Sequence, residues 1–147
     1  MREKSEIKTN SLKKSKGFVD KNPPRILLAE DEDEMRVLLG RALRKVGYRV
    51  IEDYDGESLY NDLILNLLSD KKSDRIDMII SDIKMPGPSV MEMVGQMNKI
   101  NGFPPVILIT AFGDEKIHAE AKQLGVTAVF NKPFDIDKFI ANVMEII

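Results

Sequence analysis

From residue 25 onward, the sequence alternates between short apolar runs and longer stretches in which apolar residues recur every three or four positions. The short runs are too short for a buried helix and are typical of strands covered on both faces. The fourth run, VILI, has the strongest strand character. Five such runs predict five strands, at residues 26–29, 49–52, 76–81, 106–109 and 126–130.

Each predicted strand is followed by a stretch with helical periodicity. In the first of these, apolar residues recur from Met35 to Val46, acidic residues at 31–34 precede them, and Gly47 follows. Acidic side chains favour the N-terminus of a helix, and glycine commonly ends one. Similar apolar stripes predict four further helices, around residues 59–68, 90–97, 117–124 and 136–147.

The alternation of strands and helices indicates the fold class. Right-handed crossovers between successive strands bring helices onto both faces of a parallel sheet. We therefore predict an α/β protein with a five-stranded parallel sheet and five helices. Reactive groups in such proteins lie at the carboxyl ends of the strands, so the residues that follow each predicted strand are the candidates for function.

The composition limits the chemistry that these residues can perform. The 147 residues include no cysteine and one histidine, His118, which excludes disulfides, thiolate zinc sites and a cysteine nucleophile. A net charge of −2 provides no general attraction to nucleic acid or to anionic membranes. No stretch of about 18 apolar residues predicts a membrane span, and the charged N-terminus does not resemble a secretory signal. The expected location is cytoplasmic.

Residues 1–24 differ in composition from the rest of the chain. They contain seven basic and three acidic side chains, a net charge of +4, whereas the remaining residues carry −6. The segment shows no periodicity and has little apolar surface to offset the entropy of ordering it. We expect a mobile basic tail at 1–24, followed by one domain at 25–147. A tail that binds nucleic acid is the less favoured interpretation.

Polar residues follow four of the predicted strands. Glu30 and Asp31 come after the first strand, Asp82 after the third, Thr110 after the fourth, and Lys132 just after the fifth. Carboxylates that converge repel one another unless a cation neutralises them. Since the chain has no cysteine and a single histidine, Mg²⁺ is the metal ion that suits these oxygen ligands.

Each of these residues has an ordinary structural interpretation when it is taken alone. Asp31 is a suitable cap for the helix that follows, and Asp82 precedes a Pro-Gly turn. Lys132 is compatible with a solvated loop. Their occurrence together, in order and directly behind apolar strands, favours a shared functional site.

Four segments carry a resemblance to a known family. They are ILLAEDE at 26–32, IISDIKMPG at 79–87, VILITA at 106–111 and FNKPF at 130–134. In residue type, order and spacing, these segments resemble the receiver domains of two-component response regulators, including the chemotaxis regulators. The resemblance implies a flavodoxin-like (βα)5 fold with strand order 2-1-3-4-5.

The resemblance also assigns roles to the polar residues. Asp82 would be the phospho-acceptor, Thr110 would hydrogen-bond the phosphoryl group, and Lys132 would pair with it. The magnesium ligands would be Glu30, Asp31, Asp82 and the backbone carbonyl of Lys84. These roles agree with the chemistry, because phosphoryl transfer to a carboxylate needs mainly in-line positioning and charge neutralisation.

The function implied by the resemblance is a signalling switch. A phosphohistidine donor, either a histidine kinase or a histidine phosphotransfer protein, would phosphorylate Asp82 in the presence of Mg²⁺. Phosphorylation would change a surface that binds a downstream protein target, and a homodimer through helix 4, strand 5 and helix 5 is compatible with the family. We expect no membrane or direct nucleic-acid binding, and no catalysis beyond self-phosphorylation and dephosphorylation.

The end of the chain carries an expectation of its own. The sequence stops after the fifth predicted helix, so we expect no DNA-binding or catalytic output domain. Two interpretations stay open at this point, a stand-alone regulator and a receiver domain excised from a longer protein.

Two departures from the family pattern leave an alternative open. Val129 occupies the position three residues before Lys132 where an aromatic residue is usual, and Val90 replaces a loop glycine. They are compatible with a pseudo-receiver, an interaction module that works without phosphorylation. Two other classes are excluded. Flavin carriers need a hydroxyl-rich phosphate loop in place of the acidic residues at 30–33, and haloacid dehalogenase phosphatases need an acid in place of Lys84.

Overall fold

The computed structural model describes residues 22–111 and 115–147, where five strands and five helices alternate. The strands are β1 (Arg25–Ala29), β2 (Arg49–Asp53), β3 (Met78–Asp82), β4 (Val106–Thr110) and β5 (Ala128–Asn131). The helices are α1 (Asp33–Lys45), α2 (Gly56–Leu68), α3 (Val90–Met97), α4 (Glu115–Gln123) and α5 (Ile136–Ile146). A single turn of 3-10 helix, Lys72–Asp74, lies between α2 and β3. Residues 1–21 of the predicted tail lie outside the described ranges.

All five strands are parallel and lie in the order β2-β1-β3-β4-β5. This arrangement confirms the predicted fold class and strand order. Strands β1 and β3 are neighbours inside the sheet, with Leu28 opposite Ile80 and Ala29 opposite Ser81. The residue after β1 therefore lies beside the carboxyl end of β3.

The sheet separates two hydrophobic layers because side chains alternate between its faces. On one face, Ile26 and Leu28 of β1 pack in the layer that contains Phe139 of α5. On the other face, Leu27 packs in the layer that contains Leu59 of α2. All five side chains are fully buried. Each contributes about 1.5–3 kcal/mol by leaving water, so the two layers hold the sheet edge in a fixed position.

Polar side chains cap three of the helices at their N-termini. At α2, the Asp55 carboxylate accepts a hydrogen bond from Ser58 N at 2.8 Å, and Ser58 Oγ accepts one from Asp55 N at 3.3 Å, which forms a capping box. At α3, Ser89 Oγ accepts a hydrogen bond from Glu92 N at 3.3 Å, and at α5, Asp135 Oδ1 accepts one from Asp137 N at 2.8 Å. These caps fix where each helix begins relative to the strand before it.

Two predicted strand boundaries were wrong by two residues. Strand β5 begins at Ala128, not at 126, because Val126 N donates to Ala121 O at 3.1 Å in the turn that follows α4. Strand β3 begins at Met78, because Ile76 N is bonded to Asn66 Oδ1 at 3.2 Å outside the sheet.

The surface and the start of the described chain add two observations. Leu68, at the end of the apolar stripe predicted at 59–68, is 77% exposed. At the N-terminal edge, Pro24 O accepts a hydrogen bond from Arg49 N at 3.0 Å.

Among the described helices, none is long and apolar enough to cross a bilayer.

Candidate functional site

Three carboxylates meet at the carboxyl end of the sheet. Glu30 and Asp31 follow β1, Asp82 ends β3, and one carboxylate oxygen from each lies within 4.8 Å of the others. Glu30 is fully buried and Asp82 is 5% exposed, whereas Asp31 is exposed. The cluster thus has two buried members and one member open to solvent.

The ammonium group of Lys132 lies between two of these carboxylates. Its Nζ is 2.8 Å from Asp82 Oδ2 and 2.9 Å from Glu30 Oε1. Desolvation lowers the pKa of Lys132, but the contacts with both carboxylates outweigh desolvation and place the pKa above its usual value. The backbone is also anchored, because Lys132 N donates to Thr110 O at 2.8 Å and the Lys132–Pro133 peptide bond is cis.

Backbone N–H groups orient the two buried carboxylates. Glu32 N donates to Glu30 Oε2 at 3.0 Å, and Lys84 N donates to Asp82 Oδ1 at 3.0 Å. Burial raises the pKa of Glu30, the Glu32 N–H and Lys132 oppose this rise, and the nearby Asp82 adds to it. The Glu30 carboxylate is therefore held in an environment that disfavours its negative charge.

The donor set suits a hard divalent cation. Three carboxyl groups converge here, and the ammonium of Lys132 contacts two of them. The ligand atoms on offer are all carboxylate oxygens, which match Mg²⁺ and not a metal that prefers sulfur or imidazole. Exposure of Asp31 leaves one side of the cluster accessible to solvent.

Two further predicted site residues lie at the same edge of the sheet. Thr110 ends β4 and is 2% exposed, and its carbonyl is the acceptor for Lys132 N. Lys84 is exposed, with its N–H bonded to Asp82. The structure thus brings all the predicted residues to one edge. The roles of the Thr110 hydroxyl and the Lys84 carbonyl stay predictions.

Two polar residues beside the cluster were not predicted. Arg36, in the first turns of α1, donates from Nη1 to Glu30 O at 2.8 Å. Asp53, the last residue of β2, accepts a hydrogen bond from Glu30 N at 3.0 Å through its backbone carbonyl, and it is 5% exposed. Asp53 satisfies the same rule of polar residues at strand ends. No sequence signal marks Arg36, because its contact depends on how α1 folds back over β1.

A comparison with protein families gives the site a context. The family model for the response regulator receiver domain matches residues 26–144. The chain belongs to the response regulator receiver domain family. Members of this family accept phosphoryl groups in two-component systems and act as signalling switches, not as classical enzymes. The predicted resemblance is confirmed.

Receiver domains of several relatives are similar to this one. The chain is 32% identical over 114 residues to sporulation initiation phosphotransferase F of Bacillus subtilis. The matched region covers 78% of this chain and 86% of that protein. It is 31% identical over 127 residues to hybrid signal transduction histidine kinase D of Dictyostelium discoideum, covering 85% of this chain but 8% of that protein. The chain therefore spans most of one relative and a small part of another.

The solved structures agree with the fold. The chemotaxis response regulator CheY4 of Vibrio cholerae superposes with a TM-score of 0.71 at 23% identity, covering 86% of this chain and 100% of that chain. At this identity, the similarity supports the fold alone.

The two departures from the family pattern are visible in the packing. Val129 packs in the layer of α2, while Phe130 packs on the opposite face, where its ring centroid is 5.9 Å from that of Phe134 and 5.0 Å from that of Phe139. The aromatic side chain at this end of β5 thus faces α5, as strand alternation predicts. Val90 is the first residue of α3 and is 2% exposed, so it fills the core.

Proposed function

We propose that this receiver domain accepts a phosphoryl group on Asp82, in a reaction that requires Mg²⁺ held by Glu30, Asp31 and Asp82. The donor is a phosphohistidine of a histidine kinase or of a histidine phosphotransfer protein. One observation carries the proposal: Asp82 belongs to the carboxylate cluster and also contacts the ammonium of Lys132 at 2.8 Å. A nucleophile for phosphoryl transfer needs such positive charge close by.

The proposed reaction is an in-line transfer between two side chains. A carboxylate oxygen of Asp82 attacks the phosphorus, and the phosphorus–nitrogen bond to the donor imidazole breaks as nitrogen takes the electron pair. Lys132 neutralises charge on the phosphoryl oxygens, and the N–H of Lys84 holds the Asp82 carboxylate in position. Bound Mg²⁺ would supply further positive charge at the phosphoryl oxygens.

The conformational effect of phosphorylation is then transmitted to the surface through β4 and β5. Thr110 lies at the end of β4 and is bonded through its backbone to Lys132, the residue that directly follows β5. His118 of α4 is tied to the same strand end, with Nε2 2.8 Å from Asn131 Oδ1. A shift of Thr110 toward the phosphoryl group would displace these connected elements, which form a surface for the downstream protein or for a second copy of the chain.

The pseudo-receiver stays the second candidate. The observation that favours it is Val129, a small aliphatic residue that packs in the α2 layer where the family usually has an aromatic one. A module of this kind would bind its partner equally well with and without phosphorylation. Formation of a beryllofluoride adduct in the presence of Mg²⁺ separates the two functions, because a pseudo-receiver forms none.

Acetyl phosphate labelling followed by intact-mass measurement tests the proposal. We expect the wild type to gain one phosphoryl group in Mg²⁺ and none after chelation, and Asp82→Ala to gain none under either condition. Asp53→Asn is the matched control, since it replaces another buried carboxyl group at the same sheet edge and should still be labelled. Labelling of Asp82→Ala, or labelling of the wild type without Mg²⁺, would contradict the proposal.

A further inference from the structure

A glycine in the middle of α1 makes space for a carboxylate from the neighbouring strand. Gly40 is buried, and a Cβ atom placed on it would lie 2.6 Å from Oε2 of Glu52 in β2. Glycine is among the least favourable residues in a helix interior. A glycine at this position leaves room for the Glu52 carboxylate, which lies between β2 and α1.

The inserted carboxylate joins two arginines of α1. Glu52 Oε2 is 2.7 Å from Arg44 Nη1, and Glu52 Oε1 is 3.7 Å from Arg36 Nε. The side chain of Glu52 is 23% exposed and that of Arg36 is 16% exposed. Partial burial reduces the screening of the Glu52–Arg36 pair by water, so this pair restrains its side chains more than a surface pair does.

Arg36 extends this network to the functional site. Its Nη1 donates to the backbone carbonyl of Glu30 at 2.8 Å, and its Nη2 donates to Asp33 Oδ1 at 2.6 Å. The Glu30 carbonyl belongs to the peptide group that joins Glu30 to Asp31. Because a peptide group is planar, holding this carbonyl fixes the orientation of the backbone that carries both residues.

Strand β2 thus restrains Glu30 from two directions. Its Asp53 carbonyl accepts the Glu30 N–H at 3.0 Å, and its Glu52 carboxylate holds the arginine that binds the Glu30 carbonyl. We propose that Glu52 and Arg36 are positioning residues for Glu30 and Asp31, with Gly40 providing the space that Glu52 needs. This role rests on the proposed function, since it assumes that Glu30 and Asp31 bind the ion.

Titration of the full chain with Mn²⁺, with the free ion counted by electron paramagnetic resonance, tests the proposal without any phosphorylation step. We expect Glu52→Gln to weaken Mn²⁺ binding about threefold or more, less than the roughly 10- to 100-fold typical of direct partners of metal ligands. Gly40→Ala retains every charge but displaces the Glu52 carboxylate, so it should weaken binding to a similar degree.

Asp77→Asn is the matched control. Its side chain is 25% exposed, close to the 23% of Glu52, and it loses the same charge. Asp77 precedes β3 and accepts a hydrogen bond from Arg25 N at the opposite end of the sheet. We expect its Mn²⁺ affinity to stay within about twofold of the wild type, because distance and salt screen the removed charge.

The outcomes separate the positioning role from the proposed function. Absence of Mn²⁺ binding by the wild type would contradict both. Wild-type binding with unchanged affinity in Glu52→Gln and Gly40→Ala would contradict the positioning role alone. Weakening in Glu52→Gln but not in Gly40→Ala would assign the effect to charge and overturn the role. Circular dichroism verifies folding. If Glu52→Gln does not fold, Gly40→Ala decides the test because it retains every charge. If Gly40→Ala does not fold, unchanged affinity in Glu52→Gln still contradicts the role, and weakening beyond the twofold limit set for Asp77→Asn supports it.

Discussion

At the scale of single residues, Asp53 has an unusual environment. Asp53 is the last residue of β2 and is 5% exposed. One of its carboxyl oxygens, Oδ2, is buried without a hydrogen-bond partner. Burial raises the pKa of Asp53 to about 8, and the nearby carboxyl groups of Asp62 and Asp55 add to the rise. At neutral pH, the folded protein therefore keeps Asp53 largely protonated, whereas the unfolded chain ionises it.

This difference predicts a dependence of stability on pH. Because the pKa is higher in the folded state, the contribution is complete below pH 3.8 and is lost as pH rises toward 8. The slope is at most about 1.4 kcal/mol per pH unit. Asp53→Asn has no proton to lose, so its free energy of unfolding should exceed that of the wild type increasingly between pH 5 and pH 8. Urea unfolding of both proteins across this range measures the difference, and parallel curves would contradict the prediction.

The sequence predicts residues at the site when a simple geometric rule applies. Glu30, Asp82 and Lys132 were identified because they follow apolar strands, and parallel strands end at one edge of a sheet. Asp53 obeys the same rule but was overlooked, since an acidic residue near a turn is ordinary. Arg36 escapes any such rule, because its partner lies six residues earlier in the chain and meets it only after α1 folds back.

At the scale of elements, a close backbone approach joins α2 to the loop after β3. A Cβ atom on Gly56 would lie 2.1 Å from Pro88 O, and Gly56 N donates to Pro86 O at 2.8 Å. This loop follows Asp82 and includes Lys84, whose N–H orients the Asp82 carboxylate. The first residue of α2 therefore sets the position of a loop that serves the site.

Gly56→Ala should separate these two elements. Since the obstructing atoms belong to the backbone of Pro88, we expect a loss of about 1–3 kcal/mol in the free energy of unfolding. Chemical denaturation measures this loss. Gly95→Ala in α3 is the control, because its new methyl group would meet only the tip of Leu124 at 3.3 Å. That variant should be neutral or more stable, by up to about 1 kcal/mol. Equal stabilities of the two variants would contradict this interpretation.

Elements are predictable where local patterns decide them. The helix α1 was recovered from its apolar spacing, its acidic first turn and the glycine that follows it. The start of β5 was missed, because Val126 is as strand-like as the residues after it but bonds to the end of α4. That choice depends on a contact between two elements, which composition and periodicity do not contain.

At the scale of the whole molecule, the proposed Mg²⁺ site predicts that stability depends on divalent cations. An ion that binds only the folded state adds about 2.7 kcal/mol at a concentration 100 times its dissociation constant. We therefore expect Mg²⁺ to raise the thermal unfolding midpoint of the wild type, and Asp82→Asn to lose at least about half of this rise because one ligand of three is gone. Scanning calorimetry with Mg²⁺ and with chelator measures both shifts. A rise of equal size in Asp82→Asn would show that the ion binds elsewhere.

Some features of the overall architecture could be predicted from the sequence pattern, others only from the family resemblance, and others from neither. Alternating apolar patterns were sufficient for a parallel sheet with helices on both faces, since chain connectivity permits few other solutions. The strand order came from the family resemblance, because periodicity does not say which strands become neighbours. The contact of Glu52 with Gly40 follows from neither source, as it depends on the exact separation of α1 and β2.

The position of the acid-bearing strands has a consequence for how the molecule opens. Strands β1 and β3 lie inside the sheet with helices over both faces, whereas α4 has one fully buried side chain, Ala121. Amide protons of the two inner strands should exchange with solvent only through global unfolding, and those of α4 through smaller local openings. We thus expect α4 to open locally while Asp82 and its neighbours stay assembled.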